Sequence, residues 1–290
     1  MKDLIFLSNI CEVKFDAPSY STFGSGGALA CVAYPKTEKE LVEVAKSLNT
    51  SGFGYIILGA CSNTLISDEG VKGVVISTQK LKGKTLEGNN IYISAGERMN
   101  SVCKYACENS LSGIEGLCSI PGCVGGGLAM NCGAFGRELG DAVEYADILI
   151  DGKVERLQAK DLDFSYRHSK IKELGTVVGV SLRLVEGDKT RIAKDMKGYA
   201  IARSKSQPGG KSLGSVFKKA GDVSAGYYID RVRLKGYKIG GAQISNIHAN
   251  FIINVGGATS SDFLQLADYA RQEVDKVYGV KLEYEVDYID

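Results

Sequence analysis

The sequence predicts an α+β protein, and three observations carry that prediction. Segments with apolar residues at helical spacing alternate with short β-branched runs along the chain. The order is strand, helix, strand up to about residue 83, and again strand, helix, strand over 251–289. Glycine fills 36 of 290 positions, well above the usual ~7%, so many residues serve tight turns or backbone that approaches a ligand closely.

In chain order, Gly24-Ser25-Gly26-Gly27 forms a turn ahead of an apolar run at 29–33. Thr37-x-x-Glu40 reads as a capping box for a helix with Leu41, Val44, Ala45 and Leu48 on one face. Residues 55–58 form a strand that runs into the loop Gly59-Ala60-Cys61-Ser62-Asn63, and 74–77 and 91–95 are further strands. A helix over 100–109 precedes the most glycine-dense stretch, residues 120–134. Residues 146–150 and 177–185 read as sheet, and 187–204 as a helix with Ile192, Met196 and Tyr199 on one face, broken by Gln207-Pro208-Gly209-Gly210. A strand over 251–255 and a helix capped by Thr259-x-x-Asp262 follow, with Phe263, Ala267, Ala270, Val274 and Val277 on its inner face. A last strand spans 280–289.

Lys and Arg total 35 against 34 Asp and Glu, a balance that argues against coating nucleic acid or membrane through bulk charge. The charge is local instead. Residues 191–238 hold twelve Lys and Arg against three acids, and residues 239–290 hold three against eight. The basic segment interleaves Tyr199, Tyr227, Tyr228 and Tyr237, which suits RNA or a multiply charged small molecule such as a diphosphate, and equally a solvated helical face. No apolar run nears the ~18 residues of a membrane span, and the one at residues 4–7 is too short for a signal-peptide core. The expectation is a cytoplasmic protein with neither membrane nor nucleic-acid partners. The eight cysteines form no C-x-x-C, and neither His168 nor His248 lies near a cysteine pair, so they read as core filler and no metal site is expected.

The two glycine clusters are the first candidates for chemistry. Gly59 to Asn63 leaves a strand where unpaired N–H groups can line up on an anion. Neither it nor Gly122-x-x-Gly125-Gly126-Gly127 is a G-x-G-x-x-G fingerprint. Two such clusters in one half of the chain suggest a dinucleotide whose pyrophosphate and ring system lie along backbone.

Five ordered motifs resemble those of the UDP-N-acetylenolpyruvoylglucosamine reductase family. They are Leu58-Gly59-Ala60-Cys61-Ser62-Asn63-Thr64-Leu65-Ile66-Ser67-Asp68; Gly113-Ile114-Glu115-Gly116 running on to Ile120-Pro121-Gly122 and Met130-Asn131-Cys132-Gly133-Ala134; Tyr166-Arg167-His168-Ser169; Gly214-Ser215-Val216-Phe217-Lys218; and Gly236-Tyr237 with Gly240-Gly241-Ala242-Gln243-Ile244-Ser245 through His248-Ala249-Asn250-Phe251-Ile252. The closing Leu282-Glu283-Tyr284-Glu285-Val286 matches too, so the resemblance covers residues 18 to 289. It implies a two-part FAD-binding region, a small α/β part at 1–83 and a larger α+β part at 84–190, followed by a small α+β substrate domain at 191–290. The short link between Arg167 and Ser215 resembles the form without an extra substrate-covering loop.

The resemblance also implies chemistry: an oxidoreductase using NADPH and FAD that reduces the enolpyruvyl ether of a UDP-sugar to UDP-N-acetylmuramate, a peptidoglycan precursor. Hydride reaches the vinyl carbon, charge spreads to the neighbouring carbon and its carboxylate, and a preplaced cation and donor stabilise it. By resemblance Arg167 is the cation, Glu285, protonated at that step, is the second contact, and Ser215 returns the proton. FAD falls to Gly59, Ala60, Cys61, Ser62, Asn63 and Thr64, to Ile120, Pro121, Gly122, Val124, Gly125 and Gly126, and to Asn131, Gly133 and Ala134. Substrate falls to Tyr166, Lys218, Lys219 and Gln243.

Period-two alternation puts Glu283 and Glu285 on one solvated face, and only the resemblance selects Glu285. The chain departs from the family at Gly24-Ser25, where an early basic residue is absent, and at Lys219, where an Asn is common. It also has Cys61 in place of a Gly, which fits if φ there is negative. Another flavin oxidoreductase of related fold acting on a sugar or hydroxy acid, or a non-catalytic flavin or nucleotide-sugar binder, are the alternatives.

Overall fold

The computed structural model describes residues 2–290, and the chain packs as two compact units. The first runs to Phe15 and takes in Cys31–Ala60 and Gly73–Ala202; the second comprises Asp16–Ala30, Cys61–Lys72 and Arg203–Asp290. Residues 61–72 join the C-terminal unit because Thr64–Ile66 pairs in parallel with Asp287–Ile289.

In the first unit the helix Glu38–Thr50 starts at Thr37, whose hydroxyl accepts the Glu40 N–H at 3.2 Å. The Glu40 carboxylate, however, takes the Lys36 N–H at 2.7 Å, so the box closes one residue early. Leu41, Val44, Ala45 and Leu48 are fully buried, as their spacing predicts. A sheet ordered Glu12–Ala17, Leu29–Tyr34, Val71–Ser77, Tyr55–Leu58 ends in a parallel pair that puts Leu58 beside Ser77. A five-stranded sheet, ordered Lys153–Gln158, Val143–Ile150, Thr176–Arg183, Asn90–Ser94, Lys84–Glu87, supplies the other wall of this unit's core. The basic helix Lys189–Ser206 buries Ile192 and rests Met196 and Tyr199 on the same core.

The second unit has its own core, built on a sheet ordered Lys211–Ser215, Phe251–Asn254, Ala242–Ile244, Lys238–Ile239. Against it packs the helix Ser260–Tyr278, which begins in a complete Thr259–Asp262 capping box and ends at Gly279 with φ 64°. Phe263, Ala267, Ala270 and Val274 are buried as expected. Val277 is not: it is 57% exposed beside exposed Tyr278, because the last turn runs past the core. The expected strand over 280–289 also shrinks to Asp287–Ile289. Upstream, Lys218 N–H bonds Glu283 O at 2.9 Å and Glu285 N–H bonds Val216 O at 2.8 Å, after which Asp287 N–H turns to Asn63 O at 3.0 Å. The segment changes partner and direction of pairing in mid-course, so no single strand can span it. Among the described residues no helix is long and apolar enough to cross a membrane.

Candidate active site

Gly59 and Ala60 continue the strand Tyr55–Leu58 at its carboxyl end, the place where α/β sheets expose backbone N–H groups to ligands. A Cβ on Gly59 would meet no atom within 4 Å. The second cluster is stitched to the turn at 95–97: Val124 N–H donates to Glu97 O and Gly125 N–H to Ala95 O, each at 2.8 Å. A Cβ on Gly125 would fall 2.8 Å from that of Ala95, so this glycine is needed for protein packing and its N–H is already used. Gly126 differs, being exposed with open space where its Cβ would be. Gly122 adopts φ 114°, a conformation only glycine takes readily. Burial pushes the Cys123 thiol up from its ordinary pKa at the start of the helix Val124–Ala129.

Asn131 is 1% exposed at φ 45°, and its side chain is fully engaged within the protein. Its Nδ2 donates to Glu138 Oε2 at 2.8 Å and Ser165 O at 2.9 Å, and its Oδ1 accepts Gly140 N–H at 2.9 Å. It fastens the hairpin of Gly133–Ala134 and Arg137–Glu138 to the turn that carries Tyr166 and Arg167. That turn is closed by reciprocal Ser165–His168 backbone bonds of 3.1 Å, with Arg167 at φ 55°. The Arg167 guanidinium lies 5.0 Å from the Tyr166 ring centroid and donates to Gly133 O at 3.3 Å. These two contacts, to the Tyr166 ring and to Gly133 O, place the guanidinium against the hairpin.

In the second unit the segments that carry Ser215 and Glu285 are joined by main-chain hydrogen bonds. Ser215 ends the strand Lys211–Ser215 after Gly214 at φ 80°, beside a register shift in its pairing with Phe251–Asn254. The next residue, Val216, accepts the Glu285 N–H at 2.8 Å. Glu285 is half-buried, whereas the Glu283 side chain is 78% exposed and lies 3.9 Å from Lys218 Nζ. Lys219 is exposed on the same rim. Gln243 spends its Nε2 on Gly236 O at 3.0 Å, bracing the turn at 236–243. Of the first loop, Cys61 O accepts Thr22 N–H at 3.1 Å, and Asn63 Nδ2 reaches Glu285 O at 2.8 Å. Thr64 opens the strand paired with Asp287. Cys61 has φ 49°, so the condition of a negative φ, under which cysteine replaces that glycine without strain, is not met. The bend that aims Ser62 and Asn63 is left-handed, and the cysteine carries its cost.

Two residues of the quoted motifs were given no role by the sequence reading. Asn250, 4% exposed, accepts Phe217 N–H at 3.0 Å and donates to Phe217 O at 2.8 Å, pinning the backbone two residues beyond Ser215. The Tyr284 ring packs against Phe217 at a tilt, centroids 5.2 Å apart, and its hydroxyl donates to Asp268 Oδ1 at 3.0 Å. Burial, with the Asp268 charge, pushes the Tyr284 pKa up to about 12. No local pattern marks either: an Asn before a strand reads as a turn residue, and a Tyr in an alternating run reads as core.

The family model of the UDP-N-acetylenolpyruvoylglucosamine reductase C-terminal domain matches residues 206–289, and that of an FAD binding domain matches residues 29–158. The UDP-N-acetylenolpyruvoylglucosamine reductase of Streptococcus pneumoniae strain 70585 is 38% identical over 95% of this chain and 93% of its own length, and that of strain Hungary19A-6 is equally similar. The crystal structure of the Thermus caldophilus reductase of the same name superposes with a TM-score of 0.83 at 34% identity, covering 96% of this chain and 98% of that one. A glucose dehydrogenase, Phl p 4.0202, shares only the fold, at 12% identity and TM-score 0.53 over 65% of this chain and 45% of its own. The chain belongs to the UDP-N-acetylenolpyruvoylglucosamine reductase family.

Proposed function

We propose that this chain is an NADPH-dependent, FAD-containing reductase that converts UDP-N-acetylglucosamine enolpyruvate to UDP-N-acetylmuramate in the cytoplasm. The observation that carries the reading is the hydrogen bond from Glu285 N–H to Val216 O, 2.8 Å, which holds the proposed proton donor Ser215 and the proposed carboxylate contact Glu285 on adjoining segments. The residues fit FAD: Gly59 and Gly126 have open space where a Cβ would stand. Gly59, Ala60 and the Ile120–Gly126 loop would hold the cofactor, with Asn131 bracing Gly133 and Ala134 rather than binding directly. In this reading 1–83 and 84–190 form the FAD-binding region, and 191–290 the substrate domain, in keeping with the two family-model matches.

When bound, FAD carries two electrons from NADPH to the enolpyruvyl ether. Arg167, fixed by its turn, offers a planar cation to the substrate carboxylate, and Glu285 hydrogen-bonds to it when protonated. Ser215 holds the proton that the carbon beside the carboxylate takes up. Tyr166 and Gln243 border the substrate, and Lys218 and Lys219 face its diphosphate as screened surface charges.

The test separates two half-reactions. Ser215→Ala should be reduced by NADPH at the wild-type rate in anaerobic stopped flow. Its reoxidation by the enolpyruvyl substrate should slow by about 10² to 10⁴-fold, the range for loss of a positioned acid. Reoxidation at the wild-type rate would remove Ser215 from this role.

A further inference from the structure

The first of the ordered motifs runs on from its glycine loop to Asp68, and the proposed reaction gives that residue no task. Its carboxylate reaches a partner 192 positions away, at the start of the helix Ser260–Tyr278. Oδ1 accepts the Ser260 N–H at 2.7 Å and Oδ2 the Ser261 N–H at 2.9 Å. That helix already has its own cap: Thr259 Oγ1 accepts the Asp262 N–H at 2.9 Å, and Asp262 Oδ2 accepts the Thr259 N–H at 3.0 Å. The box leaves the amides of Ser260 and Ser261 to find other partners, and Asp68 takes both, an anion at the positive end of the helix. The Ser260 hydroxyl adds a bond to Ile66 O at 2.6 Å.

The strand that these bonds hold cannot hold itself. Thr64–Ile66 forms a two-stranded sheet with Asp287–Ile289, three residues against three, and such a pair is marginal alone in water. Leu65 is buried in the second core, but apolar contact is non-directional and sets no register. The helix is the fixed body, because Phe263, Leu266, Ala267, Ala270 and Val274 seat it in that core. Next to Asp68, the Ser67 N–H bonds Ile289 O at 2.7 Å, and at the other end of the strand Asn63 Nδ2 bonds Glu285 O at 2.8 Å. The Glu285 N–H is tied to Val216 O. Asp68 supplies the second attachment, which limits how far the segment can swing about that bond.

We infer that Asp68 is a positioning residue for Glu285, fastening the strand Thr64–Ile66 to the start of the helix so that the closing segment keeps one register against it. The inference rests on the role proposed for Glu285. Without the Asp68 carboxylate two helix amides turn to water and the short strand pair loosens. The Glu285 carboxyl then no longer stands in one place when substrate arrives.

Holoenzyme carrying Asp68→Ala or Asp68→Asn is followed in anaerobic stopped flow through the flavin signal, so that each rate counts flavin-loaded protein alone. In Asp68→Ala, reoxidation by the enolpyruvyl substrate should slow about tenfold to 100-fold, the usual cost of a misplacement of about 1 Å, while reduction by NADPH changes less than about twofold. Asp68→Asn keeps one acceptor oxygen, so it should show the same pattern at smaller size, and it serves where the alanine variant does not fold. In a Glu285→Ala background, Asp68→Ala should slow reoxidation no further, because a residue that acts through Glu285 has nothing left to place. Backbone amide exchange over 285–289 should quicken about tenfold in Asp68→Ala. Equal slowing of both half-reactions, additive losses in the double variant or unchanged exchange over 285–289 each overturns the inference. Glu285→Ala that reoxidises at the wild-type rate is a separate failure: it removes Glu285 from the proposed function, and the inference falls with it.

Discussion

Asn63 donates its side-chain amide to the main-chain carbonyl of Glu285 across 2.8 Å, and its own carbonyl accepts the Asp287 N–H at 3.0 Å. A residue of the glycine loop thus sets the height of the segment bearing the candidate carboxylate. Asn63→Ala should cost about 1 kcal/mol of stability, the net worth of one such bond. It should also slow substrate-dependent reoxidation more than reduction by NADPH. Equal slowing of both half-reactions would show that Asn63 does not act through Glu285.

Cys61 at φ 49° carries a left-handed backbone with a buried side chain. A β-branched residue tolerates that conformation worst, so Cys61→Val should lose about 1–3 kcal/mol in urea unfolding. Cys61→Gly should keep its FAD affinity within about twofold, since the loop conformation is native to glycine. A valine variant as stable as wild type would mean that the loop relaxes to negative φ.

Gly125 and Gly126 are neighbours with opposite surroundings. Gly125→Val must displace Ala95 and should destabilise the flavin-free protein by about 1–3 kcal/mol, the usual cost of overpacking. Gly126→Leu meets open space, so it should fold normally and emerge colourless. Circular dichroism and visible absorbance distinguish the two, and a yellow Gly126→Leu would take that residue out of the cofactor site.

Burial lowers the pKa of His248, with the Lys235 charge contributing, and its Nδ1 accepts the Asn250 N–H at 3.2 Å. The unfolded chain therefore takes up a proton at higher pH than the folded one. The stability contributed by neutral His248 is complete above pH ~6.5 and is lost as pH falls below that toward the lower folded value. His248→Gln should flatten the denaturation midpoint between pH 7 and pH 5; an unchanged slope would assign that dependence to other groups.

Much of this protein was written in short stretches of sequence. The helix starts at Thr37 and Thr259 and the strand at Tyr55–Leu58 follow from signals confined to a few residues, where capping and alternation act locally. The motif order led to the family, and the Gly59 loop led to a strand end. Asn131 was legible as part of a motif, but its bracing of the Arg167 turn was not, since three of its partners lie between seven and 34 positions away.

Glu283 and Glu285 mark the division between the two kinds of information. The sequence by itself determined that two carboxylates lie two residues apart near the end of the chain, and alternation makes them equivalent. Only the tertiary structure separated them. There the closing segment leaves Val216 and Lys218 for Asn63 and Thr64, so that Glu283 stays in solvent while Glu285 is drawn half inside between its two partners. The physical reason is that backbone pairing between segments some 70 and 220 positions apart sets each side chain's surroundings, and no window of local sequence contains that pairing.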